Sequence, residues 1–318
     1  MQRKKLQRCC SFFLGGRKHM YRITVPASSA NMGPGFDSMG VALTLYNTID
    51  FAPAKELSIR VEGECAERIP TTERNLVYAT YRRTMEGWGR KAVPVTMVQH
   101  NAVPSTRGLG SSSTAIVGGV LMAYAISGRN YDRQEALNIA TREEGHPDNV
   151  APAIWGGFTV SFFDGVDTRC IRKDVGEETA FVAMIPEFEL STRRAREVVP
   201  KELSRADAVF NHSRTGYLAA AMMMGDVKAA AAAMDDRMHQ HQRSALIPGY
   251  HEVERAAKAA GAMAVYLSGA GPTMMALVGK AEADGFVKAM EEAVKQLEHR
   301  WEIKPLMVCN TGATLENM

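Results

Sequence analysis

The chain has 318 residues, of which 46% are apolar and 23% are charged, and its formal net charge is +3. This length favours two domains, and this composition is typical of a folded globular protein rather than a disordered one. Residues 1–19 hold six basic residues and no acidic ones, so subtracting 6 from +3 leaves −3 for the remainder. That balance gives no support for nucleic-acid binding by the rest of the chain.

The first 19 residues are basic, and their apolar run is short and broken by Gly15 and Gly16. A secretory signal needs a longer apolar region and a small-residue cleavage site, so we predict a disordered leader or an over-extended start, with Met20 opening the domain. No stretch approaches the ~20 apolar residues of a membrane span. We therefore predict a soluble protein. The absence of CxxC spacing argues against disulfide and zinc frameworks and predicts a cytoplasmic location. The five cysteines are Cys9, Cys10, Cys65, Cys170 and Cys309.

Hydrophobic periodicity and turn residues predict a mixed succession of strands and helices in the first half of the chain. Asp132 and Glu135 form a capping box that begins one helix, and Gly145 ends it. Other helices are predicted at residues 75–85 and 115–126, and strands at residues 21–25, 41–51, 93–98 and 158–163.

Beyond Asp164 the pattern changes and indicates a second domain. Helices are predicted at residues 206–224, 226–239, 250–260 and 281–299, and strands at residues 181–185, 262–267, 274–278 and 304–308. Strands alternate with helices, but without a uniform βαβ rhythm. We therefore predict two α+β domains, at residues 20–164 and 165–318.

A glycine- and serine-rich segment, PSTRGLGSSST at residues 104–114, lies between a predicted strand and a predicted helix. Gly108 and Gly110 permit backbone conformations that side chains forbid. The N–H groups at the start of the helix, together with its dipole, attract phosphate, so the segment predicts a polyphosphate-binding loop. It lacks the lysine of GxxxxGK[ST] and the third glycine of GxGxxG. A turn that only caps the helix is the alternative interpretation.

Two further glycine-rich loops occur at residues 28–40 and 268–273, and the first carries Asn31 and Asp37. Either loop alone predicts an ordinary turn, because Gly, Asn and Asp favour turns for reasons unrelated to function. Three such loops at strand ends indicate backbone N–H groups that point at a common ligand.

Basic residues in the second half of the chain suggest that the ligand carries a carboxylate. Arg193, Arg194 and Arg196 lie in or before a helix, and Arg243 follows later. Most such arginines are solvated residues on a helix surface. A free amino acid, however, needs an arginine fork for its carboxylate and a carboxylate such as Asp37 for its ammonium group. Groups that could orient the rest of it are Asn31, His146 and Thr192.

A magnesium site is predicted beside the glycine loop. Mg²⁺ prefers one or two protein oxygens together with phosphate oxygens and water, and Glu144 and Ser112 would supply them. Spacing alone leaves Glu143 and Glu144 open as alternatives. His239 and His241 do not predict a metal site, because residues two apart on a helix face different sides.

Together these segments resemble the GHMP superfamily of galactokinases, homoserine kinases, mevalonate kinases and phosphomevalonate kinases. The superfamily's phosphate loop, Pro-x-x-x-Gly-Leu-Gly-Ser-Ser, matches Pro104 to Ser112, and its C-terminal glycine motif resembles residues 267–273. Within it, VPASSANMGPGFDSMG and EGHPDNVAPAIWGGF are similar to homoserine kinases in particular. The Gly-Glu-His-type N-terminal motif of galactokinases and mevalonate kinases does not occur in this sequence.

The resemblance implies a ribosomal-protein-like N-terminal domain, a ferredoxin-like C-terminal domain and a homodimer. It implies that ATP and Mg²⁺ are used to phosphorylate the side-chain hydroxyl of L-homoserine, on the way to threonine. The ATP contacts that it implies come from Asn75, Pro104, Ser105, Thr106, Arg107, Gly108, Leu109, Gly110, Ser111, Ser112, Ser113 and Thr114. The implied homoserine contacts are Asn31, Asp37, His146, Thr192, Arg196, Arg243 and Gly269, and the implied magnesium contacts are Ser112 and Glu144.

The resemblance also raises a question about the catalytic base. Several members of the superfamily use an aspartate where this chain places Asn149, and an amide cannot accept the proton. Asp148 is adjacent, but the resemblance does not put it in that role. Phosphoryl transfer has a loose transition state, so we predict that no side-chain base is required. Asn149 would have a positioning role, while Arg107, magnesium and the helix N-terminus would stabilise the charge on the transferred group. Two alternatives stay open, a GHMP kinase for another small alcohol and a non-catalytic nucleotide-binding sensor.

Overall fold

A computed structural model describes residues 20–318; the predicted basic leader lies outside this range. The strands, in chain order, are β1 (Tyr21–Ala30), β2 (Met39–Pro53), β3 (Ser58–Gly63), β4 (Val95–Asn101), β5 (Phe158–Phe163), β6 (Thr168–Lys173), β7 (Thr179–Pro186), β8 (Ala264–Leu267), β9 (Met274–Gly279), β10 (Trp301–Leu306) and β11 (Thr314–Asn317). The helices are α1 (Leu76–Gly87), α2 (Ser111–Ser127), α3 (Arg133–Glu144), α4 (Val150–Trp155), α5 (Thr192–Glu197), α6 (Arg205–Met224), α7 (Val227–Ala232), α8 (Gln240–Ser244), α9 (Tyr250–Ala259) and α10 (Ala283–Val294).

The first sheet is built around the long strand β2. The main order of its strands is β11-β1-β2-β4-β3, and β3 runs parallel to β4 while the other pairs are antiparallel. The beginning of β2 pairs with β5 where its later residues pair with β4, and β5 forms a hairpin with β6. Because β2 changes partner along its length, one strand connects both parts of the sheet.

Helices α1 to α4 cover the first sheet, and α2 lies at the centre of their core. Eleven of its residues are buried, which explains why its sequence is apolar all round rather than on one face. It packs closely on α1 at Gly119, where an added Cβ atom would lie 2.5 Å from the Val77 carbonyl oxygen. A larger residue at this position would therefore push the two helices apart.

The second sheet has the antiparallel order β10-β7-β9-β8. Every residue of β7 is buried, as expected for a strand that is covered on both faces. One face packs on α9 and α10. The other face shares a hydrophobic core with α6, α7 and the first domain, so that Phe181 and Tyr266 belong to the same cluster as Met32 and Leu43.

The predicted two-domain α+β fold is confirmed, but the strands of the two sheets do not divide at residue 164. β6 completes a hairpin with β5 in the first sheet, and the last strand, β11, returns to pair with β1. The second domain is therefore inserted between β6 and β11, rather than following the first domain to the end of the chain.

The helix predicted at residues 226–239 is wrong in its second half. α7 ends at Ala232, and α8 begins at Gln240. The Asp236 carboxylate accepts hydrogen bonds from the backbone N–H groups of Met238, His239 and Gln240. Such side-chain-to-backbone bonds compete with a continuous helix, and here they start a new one.

Other differences from the sequence prediction concern boundaries and short elements. α10 ends at Val294, five residues before the predicted end, while α2 begins at Ser111, four residues before its predicted start. The strands β3, β6 and β11 were not predicted, because they are short and largely polar. Within residues 20–318, no helix combines the length and apolar character that crossing a bilayer requires.

Candidate active site

The glycine loop between β4 and α2 holds its backbone in conformations that few residues adopt. Thr106, Gly108 and Gly110 have φ values of 53°, 78° and 72°. An added Cβ atom on Gly108 would lie 2.3 Å from the Ser268 carbonyl oxygen, and one on Gly110 would lie 2.2 Å from Ser28 Oγ. Glycine is therefore required at both positions by backbone conformation and by close packing.

The loop ends directly at the N-terminus of α2, whose first turn is formed by Ser111, Ser112 and Ser113. The first intrahelical bond runs from the Thr114 N–H to the Gly110 carbonyl, so the N–H groups before Thr114 have no helical acceptor. These free donors, at the positive end of a 17-residue helix, form the kind of site that binds a phosphate.

The three glycine-rich loops predicted from the sequence meet at this point. The Ser268 hydroxyl donates to the Gly108 carbonyl at 2.6 Å, and Asn31 Nδ2 donates to the Gly269 carbonyl at 2.8 Å. The backbone of Ser28 also donates to Leu109. Loops from both domains thus form one continuous wall.

That wall borders a cavity of about 310 Å³ between the two domains. Most of the residues predicted to form the site line it: Asn31, Asp37, Asn75, Ser105, Thr106, Gly108, Gly110, Ser111, Ser112, Glu144, His146, Asn149, Thr192, Arg196, Arg243 and Gly269. Residues that are 238 positions apart in the chain therefore share one cleft.

Glu144 lies beside the N-terminus of α2, where it accepts hydrogen bonds from the Ser112 hydroxyl at 3.0 Å and the Ser113 hydroxyl at 3.1 Å. Glu143 points elsewhere and pairs with Arg83, with Oε2 2.5 Å from Nη2. A carboxylate and a hydroxyl beside the free N–H groups of a helix end are oxygen ligands of the kind that Mg²⁺ prefers. The geometry thus fits a magnesium ion held by Glu144 and Ser112, and not by Glu143.

The cavity is also lined by the charged groups expected to recognise an amino acid. Arg196 forms a two-pronged ion pair with Asp37, with nitrogen-to-oxygen distances of 2.8 and 3.0 Å. Arg243 is only 2% exposed, and burial together with the nearby charge of Arg196 lowers its pKa to about 10, so it stays cationic at neutral pH. Thr192, in the first turn of α5, lines the cavity as well.

His146 forms a close hydrogen-bonded pair with Asp148, which is almost completely buried. Burial by itself would lower the pKa of His146, but the carboxylates of Asp148, Asp37 and Glu144 outweigh it and raise the pKa to about 9. The imidazole is therefore protonated at neutral pH. It offsets part of the negative charge that the three carboxylates bring to the cavity.

Five predicted loop residues do not line the cavity: Pro104, Arg107, Leu109, Ser113 and Thr114. The prediction for Arg107 needs correction. Its guanidinium donates to the carbonyl groups of Pro186 and Glu187 at 3.0 and 2.5 Å and lies 3.3 Å from Glu189, so it ties the loop to the end of β7. It does not reach the cavity as a free cation.

Asn75 lines the cavity but is engaged structurally as well. Its side chain caps α1 by accepting from the Val77 N–H, and it donates to Gln99 and to the Pro70 carbonyl. Further residues that line the cavity were not predicted from the sequence: Arg68, Ile69, Pro70, Arg74, Leu76, Gln99, Ala115 and Ala270. Most of them belong to no motif, whereas Ala270 lies within the glycine-rich loop at residues 268–273.

Comparison with known proteins places the chain in a family. Family models described as GHMP kinases N terminal domain and GHMP kinases C terminal match residues 75–157 and 218–296. A homoserine kinase from Desulfitobacterium hafniense is 41% identical over 86% of this chain and 93% of its own length. Another from Moorella thermoacetica is 42% identical over 92% of this chain and 99% of its own length.

The chain belongs to the homoserine kinase family of GHMP kinases. A crystal structure of the homoserine kinase from Cytophaga hutchinsonii superposes with a TM-score of 0.85 at 26% identity, covering 95% of this chain and 99% of that one. The GHMP kinase fold predicted from the sequence is thereby confirmed across both domains.

Proposed function

We propose that this protein is a homoserine kinase, which transfers the γ-phosphoryl group of ATP to the side-chain hydroxyl of L-homoserine and yields O-phospho-L-homoserine, a step towards threonine. One observation carries the proposal. A single cavity is lined by the first residues of α2, whose free N–H groups suit phosphate, and by the charged side chains Glu144, Asp37, Arg196 and Arg243. The start of α2 together with Glu144 suits a nucleoside triphosphate and its metal ion, and Asp37 with the two arginines suits a zwitterion.

The nucleotide would bind without a loop lysine. Backbone N–H groups at the start of α2 and the hydroxyl groups of Ser111 and Ser112 would hold the phosphates. Glu144 and Ser112 would hold Mg²⁺, which neutralises charge on the phosphate oxygens when bound. The pocket formed by Asn75 and its neighbours would take the base.

Homoserine would bind through its two charges. Arg196 and Arg243 would pair with the carboxylate, and Asp37 would pair with the ammonium group. Without substrate, Arg196 and Asp37 satisfy each other at 2.8 Å. A zwitterion can replace that ion pair without leaving either charge unpaired, whereas a neutral alcohol cannot, and this difference favours an amino acid over a sugar.

The transfer itself would depend on position and charge rather than on a strong base. Asn149 accepts a hydrogen bond from the Ser28 hydroxyl at 2.9 Å, and its amide cannot take the proton of the substrate hydroxyl. Asp148 is committed to the protonated His146. Phosphoryl transfer through a loose transition state requires mainly alignment of the two oxygens and neutralisation of the phosphate charge.

The decisive experiment is an assay of purified protein with ATP, Mg²⁺ and L-homoserine, measuring ADP. We expect ADP and O-phosphohomoserine in equal amounts, and no ADP above background with neutral sugars or mevalonate. ADP with another alcohol alone would indicate a different GHMP kinase. Nucleotide binding without turnover of any alcohol would indicate a sensor. The homodimer and the cytoplasmic location stay predictions, and light scattering of the pure protein would test the first.

A further inference from the structure

The guanidinium of Arg243 is held in place by two backbone carbonyl groups and one imidazole. Its Nε donates to the Ala195 carbonyl at 3.0 Å, and Nη1 donates to the Gly269 carbonyl at 3.0 Å. Nη1 also lies 3.2 Å from Nδ1 of His239. Because a guanidinium has no acceptor, His239 must be the acceptor in this last bond.

The other ring nitrogen of His239 fixes the tautomer. Nε2 lies 2.9 Å from the Gly33 carbonyl oxygen, which can only accept, so the proton must be on Nε2. Nδ1 is then left with the lone pair that the bond from Arg243 requires. His239 is completely buried, and burial lowers its pKa, which keeps the ring neutral. One imidazole thus links the loop that carries Asp37 to the arginine on α8.

The position of His239 is itself strongly determined. Its backbone N–H donates to Asp236 at 2.7 Å, at the point where α8 begins. Its ring packs against Phe36, with centroids 5.2 Å apart, and Phe36 also lies under the guanidinium groups of Arg243 and Arg196, 5.2 and 5.6 Å from the ring centroid. The histidine and the phenylalanine therefore support both arginines of the cavity.

We propose that His239 is a positioning residue for substrate recognition, which holds Arg243 in the orientation that binds the carboxylate of the amino acid. This inference rests on the proposed function. His239 does not line the cavity. It would act only through Arg243, so its loss should weaken amino-acid binding and leave nucleotide binding unchanged.

Two amide substitutions separate this role from simple packing. The amide oxygen of asparagine can occupy the place of Nδ1, so His239→Asn retains an acceptor for Arg243 but loses the bond to Gly33. The amide of glutamine reaches the place of Nε2, so His239→Gln retains the donor to Gly33 and loses the acceptor. His239→Leu removes both.

The test is steady-state kinetics of these three variants beside the wild type, with melting temperatures recorded for each. We expect His239→Leu and His239→Gln to raise the KM for homoserine by ~10-fold, with the KM for ATP and kcat within about twofold of wild type. We expect His239→Asn to stay within about threefold for every parameter. His241→Leu, at an exposed position two residues away, is the control and should change neither KM value nor kcat.

A double-mutant cycle completes the test, because Arg243→Leu should leave His239 nothing to position. Adding His239→Leu to Arg243→Leu should then cause no further rise in the KM for homoserine. The inference is wrong if asparagine behaves like leucine, if both KM values rise together, or if the two substitutions have additive effects. Failure of the proposed function looks different, since the wild-type protein would then release no ADP with homoserine.

Discussion

Two consecutive glutamates at the end of α3 have different neighbours and therefore different expected roles. Glu144 accepts from the hydroxyl groups of Ser112 and Ser113 at the helix end that would bind phosphate. Glu143 forms a surface ion pair with Arg83. Their chemistry is the same, so the pair provides an internal control for a metal-binding role.

We predict that Glu144→Gln lowers kcat by at least ~100-fold, because a neutral amide binds Mg²⁺ weakly and several kcal/mol of charge stabilisation would be lost. Glu143→Gln should change activity by less than twofold, since exposed ion pairs contribute little. Initial rates measured over a range of Mg²⁺ concentrations check both expectations. Only the Glu144 variant should need more Mg²⁺ for half-maximal rate.

A third variant, Asp148→Ala, tests the role of a base in the same assay. If transfer depends on alignment, this variant should retain far more activity than Glu144→Gln when homoserine is saturating. A loss as complete as that of the glutamate variant, with homoserine binding intact, would contradict the base-free mechanism and assign the proton to Asp148.

At this scale the sequence predicts residues that carry a motif and misses those that do not. The glycine loop and Asp37 were predicted because their residue types and order limit the chemistry. Spacing alone left Glu143 and Glu144 open, and Glu144 was implied only by the family resemblance. Arg68 and Gln99 line the same cavity but are ordinary polar residues in the chain. Arg107 was misassigned because a sequence does not show which way a cation points, and here backbone carbonyls at the end of β7 take it.

At the scale of elements, a side-chain bridge crosses from the segment before α1 to the connection between β7 and α5. Glu189 lies 2.6 Å from Arg68 and 3.3 Å from Arg107. The hydrogen bond from Arg68 is the main reason that the pKa of Glu189 lies below its usual value. The stabilisation from this bridge is therefore present at neutral pH and is lost as the pH falls through that lowered pKa.

We predict that Glu189→Gln raises the KM for ATP by ~2- to 5-fold and leaves the KM for homoserine unchanged. Arg68 lines the cavity on the side of Asn75, so releasing it frees one wall of the proposed nucleotide site. Arg68 is 54% exposed, so the loss of stability should be small. Nucleotide titration at neutral pH checks this, with Glu187→Gln as control because the Glu187 side chain contacts His299 instead. Equal changes in both variants would exclude a specific role for the bridge.

Elements with strong periodicity or clear caps were predictable, and those that depend on distant partners were not. The cap at Asp132 was predicted correctly, and α3 follows it. The break between α7 and α8 escaped prediction because the alanine-rich sequence favours helix throughout. It depends on Asp236, whose carboxylate also accepts from Asn211 of α6, and on tertiary contacts that no local pattern encodes.

For the molecule as a whole, the end of the chain completes the sheet with which the described part begins. β11 pairs with the first residues of β1, from Tyr21 with Asn317 to Thr24 with Thr314. On the way there, the Thr44 N–H of β2 donates to the Met307 carbonyl, and the Cys309 N–H donates to the Ala42 carbonyl of β2. A contact between residues almost 300 positions apart leaves no local signal, which is why the predicted boundary placed all of this segment in the second domain.

This closure predicts that deleting residues 314–318 destabilises the first domain without altering the active site. The deletion removes a short ladder of backbone hydrogen bonds and uncovers the edge of β1, for a loss of ~2–4 kcal/mol at about 0.5–1.5 kcal/mol per bond. The lowest-temperature unfolding transition should fall by roughly 5–10 °C in calorimetry. No residue of β11 lines the cavity, so both KM values at 25 °C should match the wild type. As a control, Glu316→Ala keeps the strand and removes one exposed side chain, so its melting temperature should match that of the wild type. If the deletion left the unfolding transition unchanged, β11 would contribute nothing to the stability of the fold.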